Sequence, residues 1–208
     1  IALACLQRLL IHPEVTLDHR HAVLLEGARI SLQRNQAGDL ARALEYATAA
    51  VTAAAEAAAG VHALFDVLAA HDDRLPEIET AVLNFFNRVG KAKPADPRET
   101  QDRQRLLARL AALESDHPDR AIRLLERAAD LDPDNLSLDA RRQLAHLYFA
   151  AATEGPQIRV NDEALLALDP LDERNLASLA KHCADHGDRD RAHALYQVLR
   201  AAAPTHPE

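Results

Sequence analysis

Residues 173–206 read ERNLASLAKHCADHGDRDRAHALYQVLRAAAPTH, and this stretch decides the fold. Apolar residues recur at helical spacing on both sides of Gly187, which predicts two helices joined by a tight turn. Pro204 is expected to end the second helix. The predicted inward-facing residues are Leu176, Leu179, Ala180 and Cys183 in the first helix and Ala192, Leu195, Tyr196 and Leu199 in the second.

The composition favours helices throughout the chain. Among 208 residues there are 43 Ala and 33 Leu, two of the residue types that are most compatible with a helix. The 6 Gly are too far apart to form a phosphate-binding loop, which argues against a Rossmann or P-loop enzyme. We therefore expect an all-α protein and no β-rich fold.

The net charge makes some classes of binding partner unfavourable. The chain carries 24 Lys and Arg against 32 Asp and Glu, a net charge of −8, which disfavours nucleic-acid or anionic-membrane binding driven by the overall field. The longest weakly charged run, 46–65, is mostly Ala and predicts a helix pair with no membrane span. Because the sequence starts without Met, we interpret it as an excerpt of a longer chain. The cytoplasm is the favoured compartment, and the Ala- and Arg-rich composition suggests a bacterial source.

The helix-pair pattern of residues 173–206 returns upstream. Residues 118–133, PDRAIRLLERAADLDP, have small Ala121 and Ala128 on one helix face and end at Pro133. This segment resembles the second helix of a tetratricopeptide (TPR) repeat, and residues 173–206 are similar to a whole repeat of that family. The resemblance implies a right-handed α-superhelix, a TPR-like solenoid, in which neighbouring helix pairs bury each other's apolar faces.

Small residues set the expected repeat length. Ala43, Ala81, Ala121 and Ala192 mark second helices at intervals of 38, 40 and 71 residues, the last being about two units. About five helix pairs account for these intervals. Leu144 and Tyr148 mark the first helix of the fourth pair, and Gly155 with Pro156 predicts that its second helix is short.

The predicted organisation is a single TPR-like domain over residues 1–208. Residues 1–13 are expected to be the tail of a preceding repeat helix. Residues 91–100, KAKPADPRET, are expected to be an extended connector between the second and third pairs because Pro94 and Pro97 disfavour helix. Without a closing proline, the second helix of the first pair is expected to run on to Gly60.

The TPR resemblance implies a protein-interaction scaffold that binds a peptide or partner protein in a groove lined by the first helices. Four of the predicted lining residues are cationic, so an acidic peptide or a carboxylate is an expected ligand. No cofactor, metal or catalytic residue is expected. The predicted groove residues are Asn35, Gln36, Arg105, Arg142, His146, Phe149, Arg174, Lys181 and Asp185.

Two other functions stay open at this point. A regulatory or ligand-sensing helical domain attached to a larger enzyme or transcription regulator would have a similar sequence. The string HCADH, with His182 and His186 at i and i+4, resembles the HxxEH arrangement of some zinc proteases, with Asp185 in place of Glu. Cys5 and Cys183 have no CxxC partner and are expected to be small buried side chains.

Overall fold

The structure is a computed structural model that describes residues 2–12, 14–70, 74–90, 94–114, 116–151 and 156–202. These ranges contain eleven α-helices and no strand. The first helix precedes five consecutive pairs, so the predicted all-α fold of about five helix pairs is confirmed. The helices are α1 (Ala2–Ile11), α2 (Leu17–Arg34), α3 (Asp39–Ala53), α4 (Ala58–Ala69), α5 (Leu75–Val89), α6 (Pro97–Leu113), α7 (Pro118–Leu131), α8 (Leu138–Ala150), α9 (Pro156–Leu168), α10 (Glu173–Asp185) and α11 (Arg189–Ala202).

The chain divides into two compact units, Ile1–Leu113 (unit 1) and Glu114–Glu208 (unit 2). The boundary falls between α6 and α7, which the sequence pairs as the third repeat. The single domain over residues 1–208 stays a prediction. So does the assignment of residues 1–13 to a preceding repeat, although α1 is helical and packs on α2.

In unit 1, the turn between α2 and α3 is built around a buried carboxylate. Asp39 is fully buried, and its Oδ2 accepts hydrogen bonds from Arg34 Nε at 2.7 Å and from the Gln36 backbone N–H at 2.9 Å. The Arg34 guanidinium lowers the pKa of Asp39 to about 2. Asn35 and Gly38 both take left-handed backbone conformations, which reverses the chain within four residues.

At Gly60, helix α4 approaches α3 more closely than most side chains would fit. A Cβ atom on Gly60 would lie 3.0 Å from the Val51 backbone nitrogen. The expectation that α3 runs on to Gly60 is wrong, because α3 ends at Ala53 and Gly60 lies inside α4. Glycine permits this contact because it has no Cβ.

Helix α6 supplies the N-terminal cap that α4 lacks. Ala57, the N-cap residue of α4, has no side-chain acceptor, and the Ala58 N–H donates to Glu99 Oε1 at 3.1 Å. The buried Arg103 donates from Nε to the same Glu99 oxygen at 2.9 Å and lies 5.5 Å from the Phe85 ring centroid. These contacts join the second pair of helices to the third.

The predicted connector 91–100 is too long at its C-terminal end. Residues 91–93 lie outside the described ranges, and α6 begins at Pro97. Proline suits the first turn of a helix because the N–H it lacks has no intrahelical acceptor there. The prediction of a short second helix in the fourth pair is also wrong, because α9 has 13 residues and begins at Pro156.

In unit 2, α10 and α11 form the helical hairpin that the sequence predicts. Gly187 has a φ of 82°, and the Asp188 N–H donates to the Cys183 carbonyl at 2.9 Å across the turn. Leu179, Cys183 and Ala192 form the buried core of this hairpin. Leu199 is buried, as predicted. The prediction that Tyr196 faces inward is wrong, because 41% of its surface is exposed. Cys5 is likewise exposed, whereas Cys183 is buried as expected.

Candidate functional site

An open groove lies in unit 1 between α2 and α4, the first helices of the first two pairs. Its volume is about 260 Å³. Apolar side chains form most of its wall, and three polar side chains stand at its margin. The lining residues are Leu25, Ala28, Arg29, Leu32 and Gln33 from α2 and Ala63, Asp66 and Val67 from α4. We call this feature the α2–α4 groove.

The charged groups at the margin of the α2–α4 groove are paired. Arg29 donates from Nε to Glu26 Oε2 at 2.8 Å and from Nη1 to Gln33 Oε1 at 3.1 Å. Asp66 accepts from Arg109 Nη2, which reaches across from α6, at 2.5 Å. The groove therefore presents an apolar wall between two neutralised ion pairs.

Arg109 also joins α6 to an aromatic and a histidine of α4. Its guanidinium carbon lies 3.9 Å from the Phe65 ring centroid, and its Nη1 lies 3.2 Å from His62 Nδ1. His62 Nε2 is 2.9 Å from the Asp102 carbonyl. Since a carbonyl only accepts and an arginine only donates, His62 carries its proton on Nε2 and accepts at Nδ1. Burial lowers the pKa of His62, which favours this neutral form.

In unit 1, the predicted groove residues lie outside the groove. Asn35 is the C-cap of α2 and Gln36 follows it in the turn, so neither lies on the helix face on which the sequence places them. Arg105 is on α6, exposed, and 3.4 Å from Asp102 Oδ1. Sequence reasoning missed Arg109, which is one turn further along the same face. The signal available was the i, i+4 spacing of these two arginines.

In unit 2, three predicted residues come together. Arg174 Nη1, on α10, donates to His146 Nδ1, on α8, at 3.0 Å. Arg142 lies one turn before His146 and pairs with Asp169 Oδ2 at 2.5 Å and Asp172 Oδ2 at 3.6 Å. We call the surface formed by Arg142, His146 and Arg174 the α8–α10 face.

The remaining predicted residues are placed less closely. Lys181 and Asp185 lie on α10, two turns or more beyond Arg174, and both are exposed. Lys181 forms no ion pair with any residue in the described ranges. Phe149 lies in α8, and its side chain is outside the described part of the chain.

Charge is distributed unevenly between the two units. Unit 1 contains 13 Lys and Arg against 14 Asp and Glu, a balance of −1, whereas unit 2 contains 11 against 18, a balance of −7. Of the cationic residues predicted to line the groove, Arg142 is already paired with Asp169 and Asp172.

A polar cluster is buried where α9 packs between α8 and α10. Asp162 is fully buried, and its Oδ2 accepts from Ser178 Oγ at 3.0 Å, while its Oδ1 has no hydrogen-bond partner. Burial, together with the negative charge of Asp172, raises the pKa of Asp162 to about 6. Asn161 and Asn175 each also have a buried side-chain oxygen without a partner.

The HCADH string brings two histidine rings together at the end of α10. The His182 and His186 rings are stacked, with centroids 4.1 Å apart. Within the described ranges no group of three or more His, Cys, Asp and Glu could hold a metal ion. Across the same ranges, every helix is too short or too polar to cross a membrane.

Comparison with solved structures identifies the fold. The chain superposes on YrrB, described as a TPR protein with an unusual peptide-binding site, with a TM-score of 0.57 and 16% identity, covering 98% of this chain and 95% of that one. The fold is that of tetratricopeptide repeats. Two structures of MamA share it, one with a TM-score of 0.55, 15% identity and coverage of 88% and 91%, the other with 0.51, 16%, 83% and 94%.

The likeness to TPR proteins is one of structure. No protein-family model and no curated protein matches the sequence. Within this chain, small residues at helical spacing, such as Ala43 and Ala47 in α3, are fully buried.

Proposed function

We propose that this chain is a scaffold that holds a peptide segment of a partner protein in the α2–α4 groove. The observation that carries the proposal is the groove itself, where the half-buried side chains of Leu25, Leu32 and Ala63 lie between two helices above the buried Ala28 and Val67.

The size of the groove favours a peptide over a small-molecule ligand. Pockets for drug-sized molecules usually have volumes of roughly 300–1,000 Å³ and enclose most of the ligand. The α2–α4 groove is smaller, at about 260 Å³, and open. One or two apolar side chains of an extended or helical segment fit this description. The peptide-binding site for which YrrB is described gives a precedent within the same fold.

The charges at the groove margin favour an uncharged anchor. Arg29 is held by Glu26, and Asp66 is held by Arg109, so a charged ligand group would have to displace an existing partner. An apolar anchor requires no such exchange. We therefore propose that the partner segment inserts a Leu-, Ile- or Val-like side chain between Ala28 and Ala63.

The acidic peptide expected from the sequence stays a second proposal, for the α8–α10 face. Arg142 is engaged by Asp169 and Asp172, so a partner carboxylate would contact Arg174 and Lys181, which are exposed. The excess of negative charge in unit 2 opposes this binding. The α2–α4 groove is for that reason the first place to test.

A variant whose larger side chain fills the α2–α4 groove tests the proposed binding site. Peptides selected from a random library on the immobilised chain would be titrated with wild type and with Ala63→Phe, whose ring would occupy the groove, using fluorescence anisotropy. The matched control is Ala69→Phe, an exposed position on the same helix. We expect affinity to fall at least about tenfold for Ala63→Phe, the loss of about 1.4 kcal/mol of binding free energy. Equal affinity for both variants would reject the groove.

A further inference from the structure

Five polar side chains of α4 and α6 form a balanced cluster at one margin of the α2–α4 groove. Asp66, which lines the groove, accepts from Arg109 Nη2 at 2.5 Å, and Arg105 pairs with Asp102 at 3.4 Å. His62 lies beside both pairs, with Nε2 2.9 Å from the Asp102 carbonyl and Nδ1 3.2 Å from Arg109 Nη1. We call these five residues the His62 cluster. While His62 is neutral, two guanidinium groups balance two carboxylates.

Arg109 is the residue that connects His62 to the groove. Its Nη1 donates to His62, its Nη2 donates to Asp66, and its guanidinium carbon lies 3.9 Å from the Phe65 ring centroid. Because the guanidinium is planar and rigid, a change at one of these contacts affects the others. The Arg109 side chain is 31% exposed, so a ligand in the groove can reach it.

Protonation of His62 adds a positive charge to the cluster without a matching carboxylate. The imidazolium carries hydrogens on both ring nitrogens, so Nδ1 no longer accepts from Arg109, and two cations then lie 3.2 Å apart. Asp66 follows His62 by one helical turn on α4 and is already bound to Arg109. Its single negative charge balances only one of the two cations. The cluster then has three cations against two carboxylates, a net charge of +1.

Helix α6 supplies the charges that act on His62. Burial is the largest influence and lowers the pKa of His62, the positive charges of Arg109 and Arg105 lower it further, and Asp102 opposes them. On α2, across the groove, Arg29 and Glu26 pair with each other at 2.5 Å. An anion that approaches Arg109 therefore favours the protonated form of His62. The charged and titratable side chains of the other two helices that pack on α4 are Asp39, Arg42, Glu45 and Tyr46 of α3 and Glu77, Glu79 and Arg88 of α5.

We propose that protonation of His62 converts the α2–α4 groove into a site for an apolar segment that carries an acidic side chain beside its anchor. This proton-linked site rests on the proposed function of the groove and defines how that binding is regulated. At neutral pH, a ligand carboxylate has to displace Asp66 from Arg109. After protonation, one cation of the His62 cluster is left for the ligand, and Asp and Glu side chains are still ionised at pH 5.5. Binding of the proton and binding of the carboxylate therefore strengthen each other.

Matched peptides at two pH values test the proton-linked site. A peptide selected on the immobilised chain for its apolar anchor would be made with either Glu or Gln next to that anchor and titrated by fluorescence anisotropy at pH 7.5 and 5.5. For wild type, we expect the two peptides to bind within about twofold of each other at pH 7.5. At pH 5.5 the Glu peptide should bind at least about threefold more tightly than the Gln peptide, the size expected for a partly exposed ion pair.

Variants assign the effect to His62. His62→Gln keeps a donor for the Asp102 carbonyl and cannot be protonated, so the ratio of the two affinities should be the same at both pH values. The control is His19→Gln, an exposed histidine of α2, which should behave as wild type does. A proton NMR titration of the His62 ring gives a second readout. Its pKa should be higher with the Glu peptide bound than with the Gln peptide bound.

The outcomes separate this site from the groove itself. An affinity ratio that is equal at both pH values in wild type, or that rises equally in His62→Gln, would overturn the proton-linked site. If Ala63→Phe still weakens both peptides, the proposed function stands and only the role of His62 is rejected. If Ala63→Phe weakens neither peptide, the groove and the proton-linked site are both rejected.

Discussion

Two corresponding regions, α4–α6 in unit 1 and α8–α10 in unit 2, pack three successive helices by different means. In α4–α6 the fully buried side chains include Phe85, Phe86 and Leu106, and Phe85 meets Phe86 edge-on with ring centroids 5.2 Å apart. The buried Arg103 is bound by Glu99 and stacks near Phe85. Apolar packing fills this region, and its buried charge has partners.

In α8–α10, buried polar side chains lie among the buried leucines, such as Leu144 and Leu165, and form hydrogen bonds between the helices. Asn161, Asp162 and Asn175 are buried and hydrogen-bonded, yet each keeps one oxygen without a partner. Arg141 Nε is also without one. A buried polar atom without a partner costs about 1–3 kcal/mol, so this interface specifies a helix orientation at the expense of stability. The two regions show that one TPR-type arrangement tolerates either solution.

Truncating an aromatic core residue should give the largest effect. Phe85→Ala is expected to lower the free energy of unfolding by about 4 kcal/mol, because it removes a fully packed ring and leaves a cavity. The equivalent test in unit 2, Leu165→Ala, should cost about 2.5 kcal/mol, since Leu165 is equally buried but smaller and borders a polar interface. Urea unfolding followed by circular dichroism measures both. Equal losses in the free energy of unfolding for the two variants would contradict the difference in packing between the two regions.

Asp162→Asn should stabilise the protein at neutral pH. With a pKa near 6 in the folded state and 3.8 as the ordinary value, the folded protein holds the proton more tightly than the unfolded chain. Stability is therefore greatest below pH 3.8 and is lost as pH rises to about 6, by about 3 kcal/mol for this group. Tyr148, Asp172 and Ser178 interact with the carboxyl, and Asp172 adds to the penalty.

The measurement is urea unfolding at a series of pH values. We expect Asp162→Asn to gain about 2 kcal/mol at pH 7.5 and to lose the dependence between pH 4 and 6. Ser178→Ala is a control that removes the hydrogen bond but keeps the titrating group. An Asn variant that is less stable than wild type at pH 7.5 would show that the carboxylate is not strained by burial.

His62→Gln should give the smallest effect, with the opposite sign of pH dependence. The folded pKa of His62 lies below 6.5, so stability is complete above that pH and is lost as pH falls through it. Protonation places a hydrogen on Nδ1, which faces the Arg109 guanidinium. Gln keeps a donor for the Asp102 carbonyl and does not titrate.

We expect wild type and His62→Gln to diverge below about pH 6.5, with wild type losing stability and the variant losing less. Thermal unfolding between pH 5 and 8 would detect the difference. Parallel curves would mean that His62 is not the group that weakens α4–α6 on acidification.

Local sequence chemistry was enough to predict the repeat elements. Gly187 with Asp188, and the spacing of Leu179, Cys183 and Ala192, correctly gave the α10–α11 hairpin, because glycine conformation and helical periodicity act within a few residues. The same periodicity failed for Tyr196 and Cys5. Among the described helices, α11 packs on α10 and α1 packs on α2, so only one side of each is covered.

The candidate site required contacts between distant residues. Asn35 and Gln36 fall outside the groove because the pairing of Arg34 with Asp39 ends α2 before them. Arg109 and Asp66 are 43 positions apart, and no pattern within one helix predicts that they pair. In unit 2, the predicted residues Arg142 and His146 both lie on α8, but their partners come from other elements. Asp169 in the α9–α10 turn pairs with Arg142, and Arg174 of α10 donates to His146.

The sequence by itself determined most of the helices and the approximate number of repeats, since these follow from side-chain spacing, small residues and turn chemistry along the chain. Only the tertiary structure decided which helix faces meet and which stay open. The α2–α4 groove and the buried polar cluster around Asp162 result from packing and hydrogen bonds between helices, and those depend on partners that are far apart in the sequence.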